Sequence, residues 1–192
     1  PPQREGLETA ASETTRTVLL LEQLLQLARL DSGQMPLQLT PVDLETVARE
    51  AISMAEADYL ATPTTPSRIS LQSADHALIT KVDENKLCTV LTELLDNALR
   101  YSPPDSPIIV RLLKQPPWAV IQVQDRGPGI PTARQQHIFD PFYRIDETRS
   151  RSTGGTGLGL TLVRSMVEAM AGQVSLESQP GQGSVFILRF PL

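Results

Sequence analysis

The chain has 192 residues, 40% of them hydrophobic, enough for one core of ordinary domain size with residues left over for an arm or linker. A formal charge of −5 argues against a nucleic-acid surface, which gathers Lys and Arg in excess, so no nucleic-acid partner is expected. The lone Cys88, among Leu87, Val90 and Leu91, cannot close an internal disulfide and reads as a buried small hydrophobe in a reducing, cytoplasmic setting.

The first helix is expected over about 6–30, where Val18, Leu21, Leu25 and Ala28, flanked by Leu20, Leu24 and Leu27, recur at three- and four-residue steps, as in a helix of a bundle. Its most apolar run, residues 18–27, is too short and too interrupted by polar side chains to span a bilayer, so no direct membrane contact is expected of this chain. The opening Pro1-Pro2-Gln3 has no Met and no basic leader, and the chain reads as a piece of a longer protein. Asp31-Ser32-Gly33 ends the arm, and Met35-Pro36 begins extended chain, placing a domain boundary near residue 36.

Thr40-Pro41-Val42-Asp43 offers a helix start with Asp43 as cap, followed by the apolar stripe Leu44, Val47, Ala48, Ala51, Ile52 and Ala55. Thr62-Pro63-Thr64-Thr65-Pro66 is a loop, short strands are expected at 68–72 and 77–82, and a helix over 84–101 stops before Ser102-Pro103-Pro104. Strands at 108–113 and 119–124 pair across Gln115-Pro116-Pro117. Residues 144–156, with Arg144, Arg149 and Arg151 and almost nothing apolar, read as a mobile loop before a helix over 157–170. A hairpin of 174–178 and 184–190 closes the chain, and the whole predicts an α+β sandwich with helices on one face of a mixed sheet.

Three polar clusters interrupt this scaffold. On the helix over 84–101, Leu87, Cys88, Val90, Leu91, Leu94, Leu95, Ala98 and Leu99 fill one side, while Lys86, Glu93, Asn97 and Arg100 line the other. Asp125-Arg126-Gly127-Pro128-Gly129 follows a strand, so a carboxylate can face a cleft while the glycines turn the backbone. Gly154-Gly155-Thr156-Gly157-Leu158-Gly159 opens a helix, where backbone N–H groups and the positive end of the dipole suit phosphate. No Lys-Ser/Thr follows that run and the segment before it is polar, so it is neither a P-loop nor a dinucleotide turn. His76 and His137 have no second His or Cys at metal-ligand spacing and read as structural or solvated.

In this order and spacing the clusters resemble the ATP-binding catalytic domain of bacterial two-component sensor histidine kinases, within the superfamily shared with gyrase and heat-shock-chaperone ATPases. The run Glu93-Leu94-Leu95-Asp96-Asn97-Ala98-Leu99-Arg100-Tyr101-Ser102 is similar to the family's asparagine box, and Ile138-Phe139-Asp140-Pro141-Phe142-Tyr143-Arg144 to its phenylalanine box, although Phe139 and Phe142 also suit an ordinary core. The arm at 14–34 resembles the second helix of the dimerisation hairpin, without the helix that bears the phosphoacceptor histidine. The resemblance implies a Bergerat-type two-layer α/β sandwich at 36–192, joined to a partial hairpin at 1–35. It further implies Asn97 as the Mg²⁺ ligand, Arg100 reaching the phosphates, Asp125 accepting the adenine amino group, and Gly155, Gly157 and Gly159 around the phosphates. Tyr101, Gly127, Gly129, Ile130, Phe142, Arg144, Thr156, Leu158 and Leu160 complete the implied nucleotide set, with Glu93, Asn97 and Arg100 as the catalytic group. The adenine preference also has its own chemical logic, because a carboxylate only accepts hydrogen bonds, so it suits adenine's amino group and repels guanine's carbonyl.

The implied reaction moves the γ-phosphoryl of Mg·ATP to a histidine outside this chain. The implied partners are the hairpin carrying that histidine, a response regulator and a second copy in the full-length, membrane-anchored sensor. One departure keeps a rival open. Many of these kinases have Asn where this chain has Glu93, the residue type that the superfamily's hydrolases use as a general base for water. An ATP hydrolase is therefore the second reading, and an anti-sigma-type serine kinase or binding module the third.

Overall fold

The helix over Glu84–Tyr101 buries the eight apolar residues that its periodicity marks, from Leu87 to Leu99. Asp83 starts it, the carboxylate accepting from the Lys86 N–H at 3.1 Å and, through its other oxygen, from the Gln38 N–H at 2.9 Å. Ser102 ends it in an extended conformation, its N–H still bonded to the Ala98 carbonyl, and Pro103 and Pro104 block continuation. The computed structural model describes residues 2–59, 67–73, 77–145 and 156–192.

In chain order the elements are α1 (Pro2–Asp31), β1 (Thr40–Asp43), α2 (Leu44–Tyr59), β2 (Ile69–Ser73), β3 (Ile79–Val82), α3 (Glu84–Tyr101), β4 (Ile108–Gln115), β5 (Trp118–Gln124), α4 (Thr132–Gln135), α5 (Gly159–Ala169), β6 (Gln173–Gln179) and β7 (Gly183–Pro191). Five strands form one sheet in the order β2-β4-β5-β7-β6. The β2–β4 pair is parallel, Ile69 opposite Ile108, and the other pairs are antiparallel. The sheet is thus mixed, as expected, and α2, α3 and α5 cover one face.

Alternation explains the layering. Ile108, Val110 and Leu112 of β4, Ala119, Ile121 and Val123 of β5, and Phe186, Leu188 and Phe190 of β7 all belong to the buried cluster with the helix faces. Each large side chain fully buried this way contributes roughly 1.5–3 kcal/mol. On the opposite face Arg111 of β4 ties three strands together, Nε donating to Gln72 Oε1 at 3.0 Å and a guanidinium nitrogen to Gln124 Oε1 at 2.6 Å. Cys88 sits in the core with its Sγ 3.7 Å from Met54 Sδ, and burial pushes its thiol pKa up.

The structure departs from expectation at Thr40–Asp43. These residues form a strand that pairs antiparallel with β3 in a separate two-stranded sheet, Val42 opposite Thr80. That pairing satisfies the backbone and buries Val42, and the last strand residue still caps α2, Asp43 Oδ1 accepting from the Glu45 N–H at 3.1 Å. Thr80 Oγ1 donates to the Pro191 carbonyl and fastens the small sheet to the end of β7. The helix expected over 157–170 begins at Gly159, and the single turn α4 carries no apolar period that would announce it.

The arm is longer than its apolar stripe, running from Pro2 to Asp31. Gly33, at φ +65°, closes it with its N–H on the Leu30 carbonyl at 3.0 Å, a conformation that favours glycine. The arm packs against α5, and Leu27 and Leu30 reach the core, while Val18, Leu21, Leu24 and Leu25 stay exposed. The loop expected at 62–66, His76 and residues 146–155 of the expected mobile loop, with Gly154 and Gly155, lie outside the described residues.

Candidate functional site

At the C-terminal end of β5 the chain turns through Asp125, whose side chain is 7% exposed. One carboxylate oxygen, Oδ1, accepts from the Gly127 N–H at 2.6 Å and from the Ser184 N–H at 3.3 Å, so β7 and the turn both fix it. Desolvation pushes the Asp125 pKa up, against the pull of those backbone donors. Gly127 fits between this oxygen and the Tyr101 carbonyl, where a Cβ would come within 2.9 Å and 3.2 Å of them. Gly129, at φ +69°, lets the turn pass the Gln179 carbonyl at a distance no side chain allows.

Opposite, α3 presents Glu93, Asn97, Arg100 and Tyr101, and α5 opens with Gly159 and Leu160. These residues line one cavity of about 1240 Å³, together with Asp125, Gly127, Gly129, Ile130, Arg144, Thr156 and Gly157. Three sequence clusters separated by dozens of residues therefore converge. Among the described residues the start of α5 shows no side-chain cap, and Gly159 and Leu160 of its first turn line the cavity, an arrangement that suits an anion.

Glu93 is half-buried there. Its Oε1 accepts from Gln23 Nε2 of the arm at 3.3 Å, and its Oε2 occupies the space that a Cβ at Gly159 would need. Desolvation raises its pKa most and the neighbouring Asp96 adds to this, while the Gln23 hydrogen bond and Arg100 pull the other way. Among the described residues no group of three or more His, Cys, Asp and Glu side chains converges to hold a metal.

Two of the expected residues take other places. Phe142 is 58% exposed, at φ +63°, and does not line the cavity; its backbone N–H donates to the Gly157 carbonyl at 2.9 Å, so its main chain rather than its ring holds the glycine loop. Leu158 is fully buried just before α5 and does not line the cavity. Phe139 is the inward ring of its box, edge-on to Phe186 at 6.5 Å between centroids and with the Arg164 guanidinium 5.9 Å above its face. His137 is surface-exposed and pairs with Asp140, Nδ1 to Oδ2 at 2.8 Å. Gly155 lies outside the described residues.

The family model described as "Histidine kinase-, DNA gyrase B-, and HSP90-like ATPase" matches residues 82–192. The chain belongs to this ATPase family. The match implies ATP as the nucleotide of this domain. Among relatives, the probable sensor histidine kinase TcrY of Mycobacterium tuberculosis is 40% identical over 97% of this chain and 38% of its own length. The sensor histidine kinase YkoH of Bacillus subtilis is 34% identical over 97% of this chain and 39% of its own length. The chain thus spans about two fifths of the length of these curated relatives. Among solved structures, the histidine kinase AdeS of Acinetobacter baumannii shares the fold, with a TM-score of 0.75 and 22% identity over 96% of this chain and 83% of that one. Full-length ShkA in complex with AMPPNP superposes with a TM-score of 0.76 and 25% identity over 100% of this chain and 39% of that chain. The family domain here is therefore the α+β catalytic fold of histidine kinases.

Residues outside the expected set also shape the site. Ser184 contributes the second backbone donor to Asp125, and Gln23 reaches in from the arm. Ser102 also lines the cavity; its hydroxyl is buried and has no hydrogen-bond partner among the described residues. Gln23 and Ser184 carried no signal in sequence, because each acts through a tertiary contact.

Proposed function

We propose that this chain is the ATP-binding catalytic part of a sensor histidine kinase, with residues 1–35 as one helix of the dimerisation hairpin and 36–192 as the catalytic domain. The observation that carries the reading is the single cavity in which the polar face of α3, the Asp125 turn and the open first turn of α5 meet. Asp125 accepts from the adenine amino group with the oxygen that its backbone donors leave available. The buried Ser102 hydroxyl of the same cavity lacks a partner among the described residues and gains one from the base or from a water that the base holds. Arg100, Arg144 and the N–H groups of α5 face the phosphates.

The donor set also fits Mg²⁺. Since no carboxylate cage converges among the described residues, a cation here takes the Asn97 amide oxygen and completes its shell from waters and phosphates, as Mg²⁺ does on nucleotides. When bound it neutralises phosphate charge. In the transfer, a histidine nitrogen of the hairpin forms a bond to the γ-phosphorus, the bond to the β–γ bridging oxygen breaks, and ADP leaves; the residues of this chain orient the chain of phosphates and stabilise its charge.

Support for the kinase reading over a hydrolase comes from the named relatives, which are sensor histidine kinases, and from the restraint on both Glu93 oxygens. The partners are the helix bearing the phosphoacceptor histidine, which the exposed row Val18, Leu21, Leu24 and Leu25 suits, a response regulator and a second copy in the full-length sensor. Among the described residues no helix is long and apolar enough to cross a membrane. The test is transfer of radioactive γ-phosphate. The chain alone should stay unlabelled and should label a separately supplied dimerisation hairpin from the same protein. Steady phosphate release without the hairpin, and no phosphohistidine on it, would overturn the reading.

A further inference from the structure

One side chain of the arm touches two parts of the nucleotide site at once. Gln23, half-buried on α1, lines the same cavity as Glu93. Its Nε2 donates to Glu93 Oε1 at 3.3 Å and its Oε1 accepts from Thr156 Oγ1 at 2.7 Å. Thr156 Oγ1 in turn accepts from the Leu158 N–H at 3.2 Å. The four groups form a chain polarised in one direction, from the first residue before α5, through the threonine hydroxyl and the arm amide, to the carboxylate. Bonds aligned in this way reinforce one another.

The arrangement fixes what Glu93 can do. A carboxylate serves as general base only with an oxygen aimed at the attacking water at hydrogen-bond distance. Here Oε1 accepts from Gln23 and Oε2 lies against Gly159, so while the arm is docked the orientation of the carboxylate is set by the arm and α5 rather than by a water beside the γ-phosphate. An aspartate or glutamate in place of Gln23 would repel Glu93, and an aliphatic residue would release it. The amide donates to the carboxylate and accepts from the threonine hydroxyl at the same time, which neither a charged nor an aliphatic side chain can do.

We propose that Gln23 is a positioning residue that holds Glu93 away from water, so that the docked arm suppresses ATP hydrolysis and reserves the γ-phosphoryl for the histidine. This rests on the ATP-site reading above. In the suppressed reaction the oxygen of water bonds to the γ-phosphorus, the bond to the β–γ bridging oxygen breaks, the water proton passes to a Glu93 oxygen, and ADP and phosphate leave.

The test compares phosphate release from Mg·ATP by the unaltered chain, Gln23→Leu, Gln23→Ala, and Gln23→Leu combined with Glu93→Gln, with ATP affinity measured calorimetrically in each. Both Gln23 variants should release phosphate faster by about tenfold, a modest part of the roughly 100- to 10,000-fold that a positioned base supplies. The double variant should return to the slow rate. A merely structural role for Gln23 would not give a gain that depends on Glu93. A second readout needs no nucleotide: amide exchange at Leu158 should quicken in both Gln23 variants, because Thr156 loses its acceptor. Unchanged or slower release with ATP affinity retained, a gain that survives in the double variant, or unchanged Leu158 exchange would each overturn the proposal. If the unaltered chain bound no ATP at all, the ATP-site reading would fall and take the proposal with it.

Discussion

The two walls of the cavity are built in opposite ways. The wall around Asp125 is sheet-borne: β5 delivers the carboxylate, β7 donates to it from Ser184, and glycines at 127, 129 and 183 let three backbone segments close on one another without side chains between them. The wall around Glu93 is assembled from helices and a loop, with Gln23 of the arm, Glu93 of α3 and Thr156 before α5 joined only through side chains. A wall locked by ladder hydrogen bonds keeps its shape whatever is bound, which suits selection of a base. A wall held by rotatable side chains from separate elements can shift with the position of the arm, which suits control of a reaction.

The sheet-borne wall should be most sensitive at Gly183. At φ +91°, a Cβ there would overlap the Asp125 carbonyl, so Gly183→Ala should cost about 2 to 4 kcal/mol of stability by urea denaturation. A loss below about 0.5 kcal/mol, the ordinary scale of a surface change, would show that the Asp125 wall is as yielding as the other.

On the phosphate wall the effect should fall on ligand binding and leave the fold intact. Asn97 is half-buried on the polar face of α3, away from Leu94 and Leu95, so Asn97→Ala should unfold at the same denaturant concentration as the unaltered chain. Its affinity for ATP in Mg²⁺ should drop about tenfold, the equivalent of roughly 1.4 kcal/mol, with little change in EDTA. The same Mg²⁺ dependence in variant and unaltered chain would move the metal elsewhere.

The smallest effect concerns Glu93 without nucleotide. Its pKa is raised by burial above the ordinary carboxyl value of 4.5, so the fold favours its protonated form. The stability this gives is fully present below 4.5 and is lost as pH rises through the higher folded value, leaving a charged carboxylate as a burden at neutral pH. Glu93→Gln cannot ionise and keeps the acceptor for Gln23. It should melt higher than the unaltered chain at pH 7, with the difference vanishing near pH 4 when followed by thermal denaturation. An equal or lower melting temperature at pH 7 would contradict the burial of that charge.

The two walls also differ in how far the sequence announces them. The α3 faces and the Asp-x-Gly turn are written in local signals, a 3.6-residue period with a capping Asp83 and glycines placed where a backbone must turn tightly, and both stand where expected. Gln23 and Thr156 are 133 residues apart, and no spacing along the chain points from one to the other. The same holds for Ser184, 59 residues from Asp125. Thr40–Asp43 becomes a strand because β3 lies alongside it, a tertiary effect that four residues without alternation could not reveal. The phenylalanine run shows two rings without showing that only Phe139 turns inward while Phe142 gives its backbone to Gly157.

On the proposed function, the sheet-borne wall selects adenine through Asp125. Calorimetric titration of the unaltered chain and of Asp125→Ala with ATP and with GTP, in Mg²⁺, tests it most directly. The unaltered chain should bind ATP at least about tenfold more tightly than GTP, since a hydrogen bond to a charged acceptor contributes roughly 1.5–3 kcal/mol and the mismatched base forfeits it. The variant should lose both the affinity and the preference. Equal affinities for the two nucleotides in the unaltered chain, or a preference that survives in Asp125→Ala, would contradict it.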